Sequence, residues 1–264
     1  MVSTLSLAAS IVGCTADSSM TPDNTPGAVT FSVASSSAAT AAASRSPLSP
    51  SRTVIASGTS LIVTLGKDTL QIDTVNVVFA RVRLRKLNDT ACGDDGHDDA
   101  ADQNCAVLKE GPILVSLPLT AGAKSVFNVP APSGTYTGIA LWTHRPKRAD
   151  SGPNQQEFLA AHPDYEGTSI RVFGKFNGVA FTWRGDPEVK IEQAFVPPLT
   201  VSDTSGLQLT LKIDLASWFT SSTSTLLDPR TTSYPQIAQN IKNSFKAFED
   251  RQHTGHDDHE GGTH

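Results

Sequence analysis

The sequence has little charge, few aromatic side chains and no long apolar run. Charged residues make up 18% of its 264 residues, aromatic residues 6% and hydrophobic residues 38%, whereas globular proteins average about 25% charged and about 45–50% apolar residues. These shortages exclude a coiled coil and a bundle of membrane-spanning helices, which need apolar repeats or runs of about 20 apolar residues. Serine, threonine, glycine and proline fill the gap, which favours a strand-and-turn protein made for the cell exterior.

Basic clusters are also scarce. The net charge is −5, and the acidic residues are concentrated in two short segments. Residues 88–108 contain six aspartates and no lysine or arginine, and residues 249–264 contain five acidic residues and one arginine. The rest of the chain therefore carries a net charge of +5. Because a nucleic-acid-binding face needs clustered lysines and arginines, we expect no nucleic-acid partner.

Only three cysteines are present, one alone and two as a pair. Cys92 and Cys105 lie 13 positions apart, one on each side of most of the first acidic segment. In an oxidising compartment such a pair forms a disulfide, and closing a loop of this size stabilises a fold by roughly 3 kcal/mol. The alternative is a metal-bound thiolate pair, but the cysteines of zinc sites are usually much closer in sequence. The spacing favours a disulfide between Cys92 and Cys105.

The first cysteine ends a short apolar segment. Leu5–Cys14 is too short to span a bilayer and is typical of a processing signal. Ile11-Val-Gly-Cys14 resembles the bacterial lipobox, in which cleavage before the cysteine frees it to receive a diacylglycerol. The resemblance implies a lipoprotein signal peptide over residues 1–13 and a lipid anchor on Cys14. Because Thr15 and not aspartate follows, it also implies the outer membrane, on its periplasmic or surface face. The alternative is a buried strand with a chance cysteine.

Residues 14–57 are predicted to form the lipid anchor and a disordered tether. Of the 43 residues that follow Cys14 up to Ser57, 30 are alanine, serine, threonine or proline. Such a segment cannot bury enough apolar surface to offset the entropy of ordering it. As a random coil it would reach roughly 35 Å. Ala28–Ala34 also suits a strand, but we include it in the tether.

From residue 58 onward, apolar and polar residues alternate between glycines and prolines. This pattern is typical of strands and predicts nine of them with no helices between. A change of phase near Ala80 predicts a bulge, and Asn177-Gly178 predicts a two-residue hairpin turn. We therefore predict a mainly β fold, an antiparallel β-sandwich over residues 58–232. The predicted strands are 60–65, 70–87, 113–117, 124–129, 135–143, 169–176, 179–183, 188–195 and 207–215.

One amphipathic α-helix is predicted over residues 233–250, packed against the sandwich. Ser233–Gln236 fits a capping box at its start. Apolar residues then follow at spacings of four, four and three, which places them on one face of a helix. The residues of this stripe are Ile237, Ile241, Phe245 and Phe248.

Three motifs of the body resemble an uncharacterised family of bacterial lipoprotein domains. They are Thr59–Leu65, Ile72–Leu84 and Gly134–Leu141, which contains a Gly-x-Tyr hairpin. The match covers about residues 58–145. Members of the family look like β-sandwiches of the prealbumin type and have no established catalytic residues. The resemblance therefore implies a fold and a place in the cell envelope, and it implies no chemistry.

The acidic segment near the paired cysteines is a candidate cation site. Ca²⁺ takes six to eight oxygen ligands from a flexible loop, whereas a histidine suits a transition metal such as Zn²⁺ or Cu²⁺. The alternative is a solvated acidic loop held by the disulfide. The candidate ligands are Asp94, Asp95, Asp98 and Asp99 for Ca²⁺, with His97 for a transition metal.

The C-terminal tail, residues 251–264, is predicted to be disordered and repeats this chemistry. Gly255–Asp258 has the same sequence, Gly-His-Asp-Asp, as Gly96–Asp99. Imidazoles three residues apart chelate Zn²⁺ or Cu²⁺ even from a flexible segment. The alternative is a tail without a function. The candidate ligands are His253, His256, Asp257, Asp258 and His259.

The sequence contains no nucleophile motif, no zinc-protease motif and no phosphate-binding loop, and we expect His144 and His162 to cap or pack. We therefore expect a non-enzymatic, lipid-anchored envelope protein, a binding or structural module. Its partner would be an envelope protein or a polysaccharide. Two alternatives stay open: a periplasmic protein that handles Cu²⁺ or Zn²⁺ with the acidic loop and the tail, and a hydrolase whose site is assembled from distant loops.

Overall fold

The computed structural model describes residues 27–35, 52–87, 105–120, 122–149, 154–187, 189–202 and 206–249. These residues form a mainly β, sandwich-like fold with two sheets and few helices, as the sequence predicts. The strands are β1 (Ala28–Ser35), β2 (Arg52–Ser57), β3 (Ser60–Leu65), β4 (Asp68–Lys86), β5 (Cys105–Ser116), β6 (Ala123–Pro130), β7 (Gly134–Thr143), β8 (Ile170–Phe176), β9 (Val179–Gly185), β10 (Lys190–Val201), β11 (Leu207–Ile213) and β12 (Phe245–Glu249). The helices are α1 (Gln155–Ala161), α2 (Leu215–Trp218) and α3 (Tyr234–Asn243), and Pro163–Tyr165 forms a 3₁₀ turn.

The larger sheet is organised around β4, a strand of 19 residues. The first half of β4 pairs with β3 and β8, and its second half pairs with β5 and β7. β2, β9 and β10 pair with β3, β8 and β7 and complete a sheet of eight strands. A single strand therefore joins two groups of strands into one sheet.

Two irregularities keep an apolar face of β4 towards the core. The pairing of β4 with β8 shifts register between Ile72 and Thr74, and its pairings with β5 and β7 shift between Phe79 and Arg81. At each shift the core-facing positions change between even and odd numbers. An inserted residue has this effect because side chains alternate between the two faces of a strand. The bulge predicted near Ala80 is confirmed, whereas the bulge between Ile72 and Thr74 was not predicted.

The predicted strands of the body are confirmed, since each overlaps one of β3 to β11. β5 begins eight residues earlier than predicted, and β10 ends six residues later. A dipeptide that contains proline, Gly111-Pro112 in β5 and Pro197-Pro198 in β10, interrupts the alternation in each case, and the strand continues past an irregularity in its pairing. The Asn177-Gly178 hairpin turn is also confirmed, with φ of 50° and 80° at its two residues.

The smaller sheet has the strand order β12-β11-β1-β6. β1 lies in its interior, where it pairs in parallel with β11 over seven residues and antiparallel with β6. Every side chain of β1 is buried, as is usual for a strand in parallel pairing. The prediction of purely antiparallel sheets is therefore wrong at the β1–β11 pair.

Part of the segment predicted to be a disordered tether forms strands. The prediction that residues 14–57 are disordered is wrong over Ala28–Ser35, and it is wrong over Arg52–Ser57, which pairs with β3. Composition predicts disorder here because serine, alanine and threonine dominate the segment as a whole. Val29, Phe31 and Val33 nevertheless alternate and are all buried in the core, and their burial offsets the entropy of ordering this short stretch.

The main core lies between the two sheets, and α2 and α3 contribute to it. Trp218 of α2 is completely buried, and its Nε1–H donates a hydrogen bond to Ser244 Oγ at 2.7 Å. Asn240 of α3 reaches back and donates to the carbonyl oxygens of Trp218 and Thr220. These contacts join the two helices. Within the described residues, none of the helices has the length and apolar character needed to cross a membrane.

Helix α3 is shorter than predicted. It begins after Ser233, whose side chain makes no capping hydrogen bond, and it ends at Asn243. The predicted helix over residues 233–250 is therefore wrong beyond Asn243, and the predicted capping box does not form. Phe245–Glu249 is instead a strand that pairs with β11. A helix there would leave this edge of β11 unpaired, so pairing outweighs the helical spacing of the apolar residues.

The prediction that no helix lies between the strands of the body is wrong. α1 lies between β7 and β8 in sequence and contributes, with the 3₁₀ turn, to a second apolar cluster made of Val78, Phe158, Leu159 and Tyr165. Val78 lies between two residues of β4 that belong to the main core, so this cluster covers the outer face of the larger sheet. α1 has only two turns, and two buried apolar residues are too few to give a helical stripe in the sequence.

The Gly-x-Tyr motif shapes the start of β7. Tyr136 is completely buried, and its Oη donates a hydrogen bond to the carbonyl oxygen of Pro132 at 2.6 Å. Burial raises the pKa of the Tyr136 phenol, so it stays protonated and remains a donor at neutral pH. The motif therefore has a structural role, which is to hold the strand to its incoming loop.

Candidate functional site

An open cleft of about 390 Å³ lies at the end of β9. Four separate parts of the chain form it: the segment after β7, the loop before β8, the end of β9 and the start of α3. The lining residues are Arg145, Gly167, Thr168, Arg184, Gly185, Asp186 and Tyr234. Its described lining thus includes two arginines, one aspartate and one tyrosine.

Stacked aromatic rings support one wall of the cleft. Tyr234 lies parallel to Trp183, with the ring centroids 6.1 Å apart and 9° between the ring planes. Trp183 is buried and meets Phe219 edge-on at 6.2 Å. Tyr234 is 41% exposed, so the stacked pair reaches from the core to the surface of the protein.

Backbone hydrogen bonds and a glycine fix this arrangement. The amide of Asp186 donates to Tyr234 Oη at 3.0 Å, and the amide of Ser169 donates to the carbonyl oxygen of Gly185 at 3.0 Å. A Cβ at Gly185 would overlap the indole ring of Trp183. The absence of a side chain at this position therefore leaves room for the ring that supports Tyr234.

Three arginines near the cleft are each paired with a carboxylate. The pairs are Arg145–Asp186 at 2.8 Å, Arg148–Glu166 at 2.9 Å and Arg171–Asp164 at 3.1 Å. Arg171 is nearly buried, and its guanidinium also lies over the rings of Tyr165 and Phe173. The charges of these three arginines are thus offset within the protein.

Arg184 differs from these three arginines. It lies directly opposite Arg171 in the β8–β9 hairpin. Its side chain is exposed, and no carboxylate in the described part of the chain forms an ion pair with it. Among the described residues that line the cleft, two arginines stand against one aspartate, and that aspartate is paired with Arg145.

The arginines of the cleft suit the binding of an anion. A guanidinium presents paired donors to carboxylates and phosphates, and an exposed tyrosine ring presents an apolar face. The described part of the lining can therefore hold an anion at its exposed arginine, Arg184.

The two histidines of the described body pack as the sequence predicts. His144 Nε2 lies 3.0 Å from Gln155 Oε1. The ring of His162 lies 5.0 Å from that of Phe158 and 6.3 Å from that of Tyr165. Neither histidine lines the cleft.

The predicted cation ligands all lie outside the described residues. Cys14 and Cys92 lie outside them too, whereas Cys105 is the buried first residue of β5 and lies opposite Arg85. Within the described ranges, no group of three or more His, Cys, Asp or Glu side chains could hold a metal ion. The pairing of Cys92 with Cys105 stays a prediction, as do both cation sites. The ligands concerned are Asp94, Asp95, His97, Asp98 and Asp99 in the loop and His253, His256, Asp257, Asp258 and His259 in the tail.

Comparison of the chain with protein-family models, curated proteins and solved structures found no match. The resemblance of residues 58–145 to lipoprotein domains therefore stays a prediction. The charged residues of the cleft, Arg145, Arg184 and Asp186, share no motif in the sequence.

Proposed function

We propose that this chain is a lipid-anchored protein of the cell envelope, held at the outer membrane, whose β-sandwich binds a partner and does not catalyse a reaction. The cleft at the end of β9 carries the binding role, since it offers guanidinium groups and a tyrosine ring and its carboxylate is ion-paired. The partner class is an envelope protein or a polysaccharide.

Two observations support the envelope location. The Ile11–Cys14 segment resembles a lipobox at the end of an apolar run. The spacing of Cys92 and Cys105 favours a disulfide, and disulfides form and persist mainly outside the cytosol. A disulfide with Cys92 and membership of the lipoprotein domain family are parts of this proposal.

Fatty-acid labelling tests the anchor. When the full chain is produced in a Gram-negative host supplied with an alkyne fatty acid, the wild type is expected to carry the label and Cys14→Ser to lose it, because acylation starts at the thiol of residue 14. Two or more acyl chains would make the attachment stable. Cys92→Ser is the matched control and should keep the label. Equal labelling of the wild type and Cys14→Ser would overturn the anchor.

The repeated Gly-His-Asp-Asp sequence favours a second candidate function, the handling of Zn²⁺ or Cu²⁺. Calorimetric titration of the untagged full chain with Zn²⁺ is expected to show binding that deletion of residues 251–264 removes. Binding should weaken below about pH 6, because imidazoles must be neutral to bind a metal ion. An unchanged stoichiometry in the deletion variant would contradict a site in the tail.

A companion variant tests the acidic loop separately. Asparagine at its four candidate aspartates removes the charge and keeps the shape of the side chains, so a Ca²⁺ site there should lose its binding heat. Retention of the full heat by this variant would count against the loop. The positions to be changed are Asp94, Asp95, Asp98 and Asp99.

A further inference from the structure

We propose that a cavity on the outer face of the larger sheet binds the C-terminal end of a peptide, through its carboxylate and the N–H group beside it. The cavity has a volume of about 240 Å³, and it shares no described lining residue with the cleft at the end of β9. The inference therefore goes beyond the proposed role of that cleft and does not depend on the lipid anchor. The described lining of the cavity is Arg85, Ile139, Ala140, Glu192, Gln193 and Ala194.

The register of β4, β7 and β10 places the charged residues of the cavity on one face of the sheet. Gly138 of β7 lies opposite Arg85 on one side and opposite Ala194 on the other, and Ala140 lies opposite Glu192. Residues that are directly opposite in a sheet, or two positions apart in a strand, share a face. The neighbour of Arg85 in β4 belongs to the main core, so the shared face is the outer one.

The absence of a side chain at Gly138 lets Arg85 reach across β7. A Cβ at Gly138 would lie 3.0 Å from Arg85 Nη2 and 2.7 Å from the carbonyl oxygen of Gln193. Thr137 holds the guanidinium in this position, since Nε donates to its Oγ1 at 3.2 Å and Nη2 donates to its carbonyl oxygen at 3.4 Å. The charge of Arg85 therefore lies over β7, on the side of β10.

The charge on Arg85 indicates an anionic group on the ligand. The side chain is partly buried, and no carboxylate in the described part of the chain forms an ion pair with it. Its hydrogen bonds to Thr137 use Nε and Nη2 and leave the donors of Nη1 for a ligand. A guanidinium presents such donors in a geometry that matches a carboxylate.

Glu192 indicates that the ligand also carries an N–H group. Its Oε1 pairs with Lys190 at 3.1 Å and its side chain is 46% exposed, so Oε2 can accept a further hydrogen bond. A carboxylate only accepts hydrogen bonds. A phosphate or sulfate group, which offers only negatively charged oxygens, would be repelled here, whereas an N–H group is attracted.

The spacing of the two charged residues suits the end of a peptide. Glu192 is a diagonal neighbour of Gly138, over which the guanidinium lies, and diagonal neighbours are about 7–8 Å apart. This span leaves room for a group that makes a hydrogen bond of about 2.9 Å to each side. The terminal residue of a peptide is such a group, because its carboxylate and its N–H are attached to the same carbon. The short side chains of Ala140 and Ala194 leave space for it.

Titration of the isotope-labelled full chain with matched peptides, followed by nuclear magnetic resonance, tests this inference. The probe is acetyl-alanyl-alanine. Its C-terminal amide lacks only the charge, and acetyl-alanyl-lactate has an ester oxygen in place of the last N–H. We expect the probe to bind with a Kd of about 1 mM and to shift the backbone amide signals of Gly138, Ala140 and Glu192. Each analogue should bind at least about 10-fold more weakly, because it lacks one charge-assisted hydrogen bond.

Free alanine separates a single amino acid from a peptide end. It has the carboxylate but not the preceding residue, so we expect it to bind more weakly than acetyl-alanyl-alanine. Tighter binding of free alanine would overturn the assignment of the ligand as a peptide.

Four variants assign the binding to the cavity. Arg85→Gln is expected to weaken binding of the probe about 10-fold or more and to abolish its advantage over the amide. Glu192→Ala should abolish its advantage over the lactate analogue. Ala194→Leu fills the cavity from an exposed position and should block binding while Arg85 stays in place. Arg52→Gln, which changes an exposed arginine on β2, should leave the affinity unchanged.

Three further results would overturn the inference: no binding of the probe, equal binding of the probe and its amide, or unchanged affinity in Ala194→Leu. Circular dichroism verifies that each variant is folded. If Arg85→Gln does not fold, the comparison of the probe with its amide and the affinity of Ala194→Leu decide. The fatty-acid labelling of Cys14 is a separate measurement, so this site and the envelope anchor can fail independently.

Discussion

Replacing Trp218 with alanine is expected to lower the free energy of unfolding by about 3–5 kcal/mol, as is typical for truncation of a fully buried aromatic side chain. Trp218 has no exposed surface and its ring lies 6.3 Å from that of Phe245. Its Nε1–H also donates to Ser244 Oγ, and that hydroxyl donates in turn to the carbonyl oxygen of Ile241. Truncation would therefore open a cavity where α2, α3 and β12 meet and would remove a buried hydrogen bond.

Two controls separate the cavity from the hydrogen bond. Trp218→Phe keeps much of the ring volume and loses the donor, so it should cost about 1–3 kcal/mol. Trp142→Ala removes a tryptophan that is only partly buried and should cost less than Trp218→Ala. Urea unfolding followed by circular dichroism gives the three values. A loss below about 1 kcal/mol for Trp218→Ala would mean that the corner formed by α2 and α3 is not part of the cooperative core.

Replacing Gly174 with alanine is expected to lower the free energy of unfolding by at least about 3 kcal/mol. Gly174 lies in β8 opposite Ile72, next to the first register shift of β4. A Cβ there would overlap the carbonyl oxygen of Gln71 and press on the ring of Phe181. The overlapped atom belongs to the backbone of the central strand, so no side-chain rotation can relieve the clash.

Gly178→Ala is the matched control for Gly174→Ala. Gly178 has a φ of 80° and open space where a Cβ would lie, so alanine there meets only the backbone cost of about 1 kcal/mol. Urea unfolding of both variants compares the two effects. If Gly174→Ala were no more destabilising than Gly178→Ala, β4 and β8 could separate freely at the bulge, and the described packing of the sheet would be wrong.

The sequence predicts most of the body because its strands are encoded locally. The alternation of apolar and polar residues predicts β3 to β11. Asn177-Gly178 predicts one hairpin turn, and both residues have the positive φ that this turn needs. The errors occur where distant pairing decides the structure. β1 lies in a segment of disorder-like composition and is held by β6 and β11, and Phe245–Glu249 has helical spacing but completes an edge of β11.

The cleft could not be predicted from the sequence, because its residues are brought together only by the folded structure. Arg145, Arg184 and Tyr234 come from three elements that are far apart along the chain, and no fixed spacing links them. What distinguishes Arg184 is the lack of a carboxylate beside it among the described residues, whereas Arg145 is paired. Pairing of this kind depends on the strand register and on the path of the loops, and neither can be read from composition or periodicity.

The interior position of β1 would limit the distance between the folded domain and a membrane that holds a lipid on Cys14. With a lipid on Cys14, only the 13 residues from Thr15 to Gly27 separate the anchor from β1. Even fully stretched, they span no more than about 45 Å, so the folded body would stay close to the lipid head groups. A force on such a linker would act along β1 and load its hydrogen bonds with β11 and β6 together, in shear, so β1 would resist extraction from the sheet.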